Sequence, residues 1–338
     1  MPLLLLGVMV GAVTPIQTAV NSRLRMAVGT PFRASLVSFT VGTLVTLVAS
    51  LTLGPHPLLP ASALAGPWWM WLAGLFGVIF MTGNILLLPK LGSLQTVMMP
   101  VLGQILMGLL IDEFGWFGSP QQPMTVARAI GAVLAAVGFA LAIVVADLVY
   151  GGRLRPQRGV RRTEGPRADG GGDDGTGTGV QVRRDERMSP AIWLWRGIGM
   201  LCGMCSAVQT SILGRLGTEL GSPIKASFVS FLVGLLTLLV IVLVHDRGFG
   251  LHRAFGGGNP WWMWFGGFLG SLVVLTNSVL SPLLGTGLTV LVALLGQVIG
   301  GLLIDTFGWF AVARRRVGVV QIAGIVVAVA GIALIRLG

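Results

Sequence analysis

The chain has 338 residues, of which 54% are hydrophobic and only 10% charged, and its mean hydropathy is +0.86. A soluble domain carries roughly a quarter charged residues, so this composition excludes a soluble globule and points to an all-α integral membrane protein. The net charge of +11 does not indicate nucleic acid, because the charges lie mostly in one linker and in loops beside apolar runs, where they orient a chain in the bilayer.

A helix needs roughly 20 apolar residues to cross the ~30 Å hydrocarbon core. MPLLLLGVMV has no basic start and no small-residue cleavage site, so the first run, about 3–21, reads as a membrane helix and not as a removed signal. Pro15 lies inside it and is expected to kink it. Further runs follow at about 34–53, 68–88, 93–111 and 125–148. Residues 150–189 hold nine arginines and the stretch ADGGGDDGTGTG, which reads as a solvated linker. No Gly-Lys-Ser/Thr follows that Gly run, so it is not a phosphate loop. A second set of runs falls at about 191–213, 226–245, 261–281, 287–304 and 318–336.

The two sets match. GQILMGLLIDEFGWFG (103–118) and GQVIGGLLIDTFGWFA (296–311) share eleven of sixteen positions. QTAVNSRL at 17–24 matches QTSILGRL at 209–216, and PWWMWLAG at 67–74 matches PWWMWFGG at 260–267. Asn84 matches Asn277, and Gly131 and Gly138 match Gly324 and Gly331. The expected organisation is a first five-helix repeat at 1–149, a linker at 150–189 and a second repeat at 190–338. Five crossings leave the chain on the other side of the membrane, and the linker has no apolar run to carry it back. The second repeat must then enter upside down, giving ten transmembrane helices as two inverted, antiparallel repeats, with a site between them near the midplane. Nineteen of the 23 basic residues fall on the linker side, so that side is expected to be cytoplasmic, with both termini outside.

Polar residues inside such helices are candidates for function. Gln104 and Gln297 lie eight residues, about 12 Å, before Asp112 and Asp305, which places the amides near the midplane and the carboxylates at opposite mouths. Two readings of the glutamines stay open: they bind a substrate, or they join helices to one another. Asn84, Asn277, Gln17 and Gln209 are further candidate substrate-binding residues. Asp112 and Asp305 are candidate gating or coupling groups, or anchors beside Trp116 and Trp309 at headgroup level. The clusters Trp68, Trp69, Trp71 and Trp261, Trp262, Trp264 read as an aromatic belt. Cys202 and Cys205 lie within a helix at positions where the first half has Val10 and Val13, so they read as packing residues. No metal or hydrolase motif occurs. No cofactor, metal, catalytic residue or enzyme activity is expected.

QTAVNSRL, the Ser-Phe-x-x-Gly of the second helix, the Trp-rich start of the third and the GQ…IDxFG motif resemble the YdcZ-type family, a domain of unknown function (number 606) in the drug/metabolite transporter superfamily. The resemblance covers both halves and omits only the linker. It implies a fused ten-helix inner-membrane transporter, an exporter of small organic molecules. Asn21 is replaced by Leu213 in the second half, and neither first helix carries the core glutamate used by the small multidrug exporters of that superfamily. The expectation is therefore a multi-pass plasma-membrane transporter working by alternating access. Its partners would be the bilayer and an unknown small molecule, and a monomer is plausible because the repeats are fused. A passive channel or facilitator is the alternative, and a non-transporting scaffold a third.

Overall fold

The computed structural model of the chain describes residues 2–59, 65–142, 190–251, 254–255, 258–307, 309 and 318–337, and no β-strand occurs among them. The expected linker, 150–189, lies outside the described residues, as do 143–148 of the expected fifth helix.

The first apolar run forms two helices, α1 (Pro2–Gly11) and α2 (Val13–Val28). Pro15 has no N–H to return to the Gly11 carbonyl, so the helix breaks there. The matching helix of the second half, here α6 (Pro190–Glu219), carries Ala207 at that position and runs unbroken. Helix α3 (Pro31–Leu53) is capped by the Thr30 hydroxyl, which accepts the Arg33 N–H, and has Pro31 at its first turn. Its counterpart α7 (Pro223–Ile241) repeats the device with Ser222 and Lys225. Tight 3-10 turns, Trp68–Leu72 and Trp261–Phe265, lead into α4 (Ala73–Phe114) and α8 (Gly266–Leu284). In both turns the methionine is buried and the first tryptophan faces outward. Helices α5 (Val126–Ala140), α9 (Thr286–Phe307) and α10 (Val319–Leu337) complete the set.

Helix α4 departs from expectation. Two crossings were expected at 68–88 and 93–111, and a single helical run of 42 residues covers both. Drawn straight it would be ~63 Å long, twice the hydrocarbon core. It is not straight. Leu87 and Met99 would stand ~18 Å apart along a straight axis, yet Leu87 Cδ1 and Met99 Cβ lie 3.5 and 2.7 Å from where a Cβ on Gly199 would stand. The arms 73–87 and 99–114 therefore return to the same stretch of α6. In the second half the equivalent reversal is a clean break at Gly285, whose φ of +84° is open to glycine and strained for other residues.

Six described stretches are long and apolar enough to cross a membrane: Pro2–Val28, Pro31–Leu53, Trp193–Glu219, Pro223–Asp246, Trp261–Leu284 and Thr286–Ile304. Shorter apolar helices lie at Val126–Ala140 and Val319–Ile335.

The halves pack through reciprocal contacts. Gly7 lies against Val292 and Leu280, and its counterpart Gly199 against Met99 and Leu87. Gly11 abuts the Ala293 backbone, and Gly203 abuts that of Pro100. In every pair the partners are the same positions with the halves exchanged, as in a two-fold, self-complementary interface. Small residues are needed because the backbones approach to contact. In α5 and α10, Gly131 meets Gly331 and Ile335 while Gly138 meets Gly324 and Ala328. Rising numbers on one helix meet falling numbers on the other, so these two matching helices run antiparallel.

Candidate functional site

The six candidate amides line one cavity of about 370 Å³ between the halves. Gln17 comes from α2, Asn84 and Gln104 from the two arms of α4, Gln209 from α6, Asn277 from α8 and Gln297 from α9. Glycines make the room. Gln209 Nε2 lies 2.5 Å from where a Cβ on Gly77 would stand, and Gln17 Nε2 lies 2.5 Å from the same point on Gly270. Any larger residue at either glycine would push the amide aside.

Among the described residues, none of the six amides hydrogen-bonds a protein group. Gln104 is buried, and Asn84 Oδ1 is a fully enclosed acceptor without a partner. A buried polar group left unpaired costs free energy, about 1–3 kcal/mol each. Among the described residues, no side-chain bond from these amides joins one helix to another.

Other lining residues escaped the sequence reading. Phe39 and Phe231 meet with ring centroids 5.3 Å apart. Each ring occupies the space that a Cβ would take on the other half's glycine, Phe231 over Gly42 and Phe39 over Gly234. The Ser-Phe-x-x-Gly motif thus encodes a crossed pair of aromatic plugs, a role visible only once the two copies face each other. Asn21, buried beside the cavity, accepts the Ser38 hydroxyl at 2.7 Å. Its mismatch with Leu213 was the available signal.

Asp112 stands apart from the cavity. Its carboxylate is fully buried and accepts the backbone N–H groups of Thr286 at 2.7 Å and Gly287 at 3.0 Å. It therefore caps the N-terminus of α9, across the boundary between the halves, where negative charge complements the helix dipole. Ser119 Oγ donates to it at 3.3 Å, and Arg128 Nη2 pairs with it at 3.5 Å. Gly285 and Gly287 are small enough to admit it: Cβ atoms there would fall 3.0 and 2.8 Å from Asp112 Oδ2. Gln122 adds a bond to the Leu284 carbonyl at 3.2 Å, and Ser211 one to the Trp116 carbonyl at 3.4 Å. The Asp305 side chain lies outside the described residues. Trp116 and Trp309 are both exposed and stack on Phe114 and Phe307.

The two ends of the cavity differ. On α2 its lining runs from Thr14 to Arg25, but on α6 it stops at Leu213, the counterpart of Asn21. Beyond Leu213, Gly214 packs on Ser281 and Pro282, and Gly217 on Ser278. That is the end bridged by Asp112. At Gly108 the α4 and α9 backbones nearly touch, with a Cβ position 3.0 Å from Gly287 Cα. At its counterpart Gly301 no described atom lies within 4 Å.

A family model described as "Putative inner membrane exporter, YdcZ" matches residues 2–141 and 194–334. The chain belongs to this family. The two matched regions fall on the two halves and leave out the stretch between them. The chain is accordingly a multi-pass inner-membrane protein of a transporter family and not of an enzyme family. A solved structure titled "Crystal structure of protein" is similar over 100% of this chain and 98% of its own, with a TM-score of 0.64 at 15% identity. That likeness is one of fold. No curated protein matches.

Proposed function

We propose that this family member exports small organic molecules by alternating access, with two inverted five-helix repeats, 1–149 and 190–338, moving about the shared cavity. The observation that carries the reading is the convergence of six amides, from both halves, on one cavity in which none of them has a hydrogen bond to protein among the described residues. They are donors and acceptors kept for a guest. The antiparallel packing of α5 on α10 and the reciprocal glycine contacts support the inversion.

In this reading the state described is closed at the Asp112 end and open at the Arg25 end. The bias of basic residues puts the Arg25 end and the linker in the cytoplasm, so the cavity loads from inside. Asp112 serves as a latch on the outer gate, and Gln17, Gln209, Asn84, Asn277, Gln104 and Gln297 form the substrate site. A passive channel conducts only with both ends open at once, and the outer end is bridged here.

The test compares metabolites inside and outside cells overproducing the chain with those of cells producing the double variant Gln104→Ala, Gln297→Ala at equal membrane abundance. A compound class that leaves the cell only with the intact protein supports export. Inward movement would reverse the direction and keep the transporter. Equal profiles across growth conditions would remove the amides from transport.

A further inference from the structure

We propose that the cavity takes a small amphipathic organic molecule bearing one carboxylate-type anionic group, that Arg25 reads that group, and that organic cations are disfavoured. This deepens the proposed function and rests on the cavity being the transport site.

Arg25 is the one charged residue among the described lining residues, and no acidic side chain lines the cavity there. Its neighbours at the same end are committed to the fold. Arg23 Nη2 donates to Asn259 Oδ1 at 3.4 Å. Arg33 donates to the Gly248 carbonyl at 2.7 Å and the Asp246 carbonyl at 3.0 Å, and pairs with the Asp246 carboxylate at 3.6 Å. Arg25 has no such partner among the described residues. A guanidinium always carries its charge and offers a planar fork of donors that fits a carboxylate bidentately. A single charge balances a monoanion rather than a dianion.

The rest of the lining suits the remainder of such a molecule. The amides donate and accept, so they serve neutral polar groups of either kind. The crossed Phe39 and Phe231 rings offer an apolar wall. A cation would leave water to meet a like charge, with no described carboxylate to offset its desolvation. The anion-binding residue is also one-sided. The second half has Gly217 where the first has Arg25, and that end of the cavity is bridged. Charge is therefore read at the loading end only.

The test uses the full chain in lipid nanodiscs and three matched probes: 2-naphthoate, 2-naphthamide and 2-naphthylmethylammonium. Binding is measured by equilibrium dialysis, with empty nanodiscs subtracted. Naphthoate is expected to bind most tightly and the ammonium probe most weakly. Arg25→Gln should weaken naphthoate about tenfold, to the level of naphthamide, while Arg25→Lys keeps most of the preference. Ammonium binding as tight as naphthoate, or naphthoate binding indifferent to Arg25→Gln, overturns the charge assignment and leaves the transporter reading standing. Naphthamide binding unchanged by Gln104→Ala with Gln297→Ala strikes the transport site itself. Binding of none of the three overturns the substrate class.

Discussion

Replacing Asp112 with Asn should unlatch the outer end of the cavity. The carboxylate accepts two backbone N–H bonds from the start of α9, at 2.7 and 3.0 Å, and faces buried Arg128 at 3.5 Å. An asparagine offers one acceptor oxygen in place of two, so one N–H loses its partner, and Arg128 is left as a buried, uncompensated charge. Losing a hydrogen bond to a charged group costs about 1.5–3 kcal/mol. The two N–H bonds join the first half to the second only while the outer end is closed, so their loss falls on the closed state, whereas the Arg128 pair lies within the first half. The balance should shift toward an outward-open state by roughly one to two powers of ten. Ser211, 2% exposed and bonded to the Trp116 carbonyl within the closure, is a suitable reporter. In a Cys202→Ala, Cys205→Ala background, Ser211→Cys should react slowly with a membrane-impermeant maleimide applied from outside. Adding Asp112→Asn should speed that reaction about tenfold to a hundredfold. An unchanged rate in a protein that still runs as a single species on gel filtration would refute the latch and leave Asp112 as a local helix cap.

Two further outcomes follow from the packing and the sidedness. Gly138→Leu should lower thermal stability by about 1–3 kcal/mol, read as a melting shift in detergent, because any side chain there collides with the Gly324 carbonyl and Ala328 N–H across α5 and α10; an unshifted melt would show that the two helices are not packed this way. In the cysteine-free background, Gln121→Cys should label from outside and Ser22→Cys, exposed at the Arg25 end of the cavity, from the cytoplasm; the opposite pattern would invert the membrane orientation.

The helices and the membrane class were legible from composition and run length, because a bilayer demands apolar stretches of fixed length whatever they pack against. The duplication was legible for the same reason that it matters: each copy keeps the glycines and amides that the other copy needs. Pro15 broke α1 from α2 as its chemistry requires, a local effect independent of neighbours. Positions of the polar residues along their helices could be worked from the 1.5 Å rise, which is why the amides were picked out as a group.

Tertiary structure alone decided what those residues face. No spacing rule distinguishes an amide that ties two helices from one left open to a cavity; that depends on whether the opposing residue is Gly77 or something larger. The sequence placed Asp112 at a mouth beside aromatics. Only the fold brought it to the N-terminus of α9, some 174 positions away along the chain. Likewise Phe39 and Phe231 read as ordinary apolar residues until the two halves set each ring over the other's glycine. Periodicity and composition are properties of one strand of sequence, whereas partners, vacancies and the difference between an open and a closed end arise where distant segments meet.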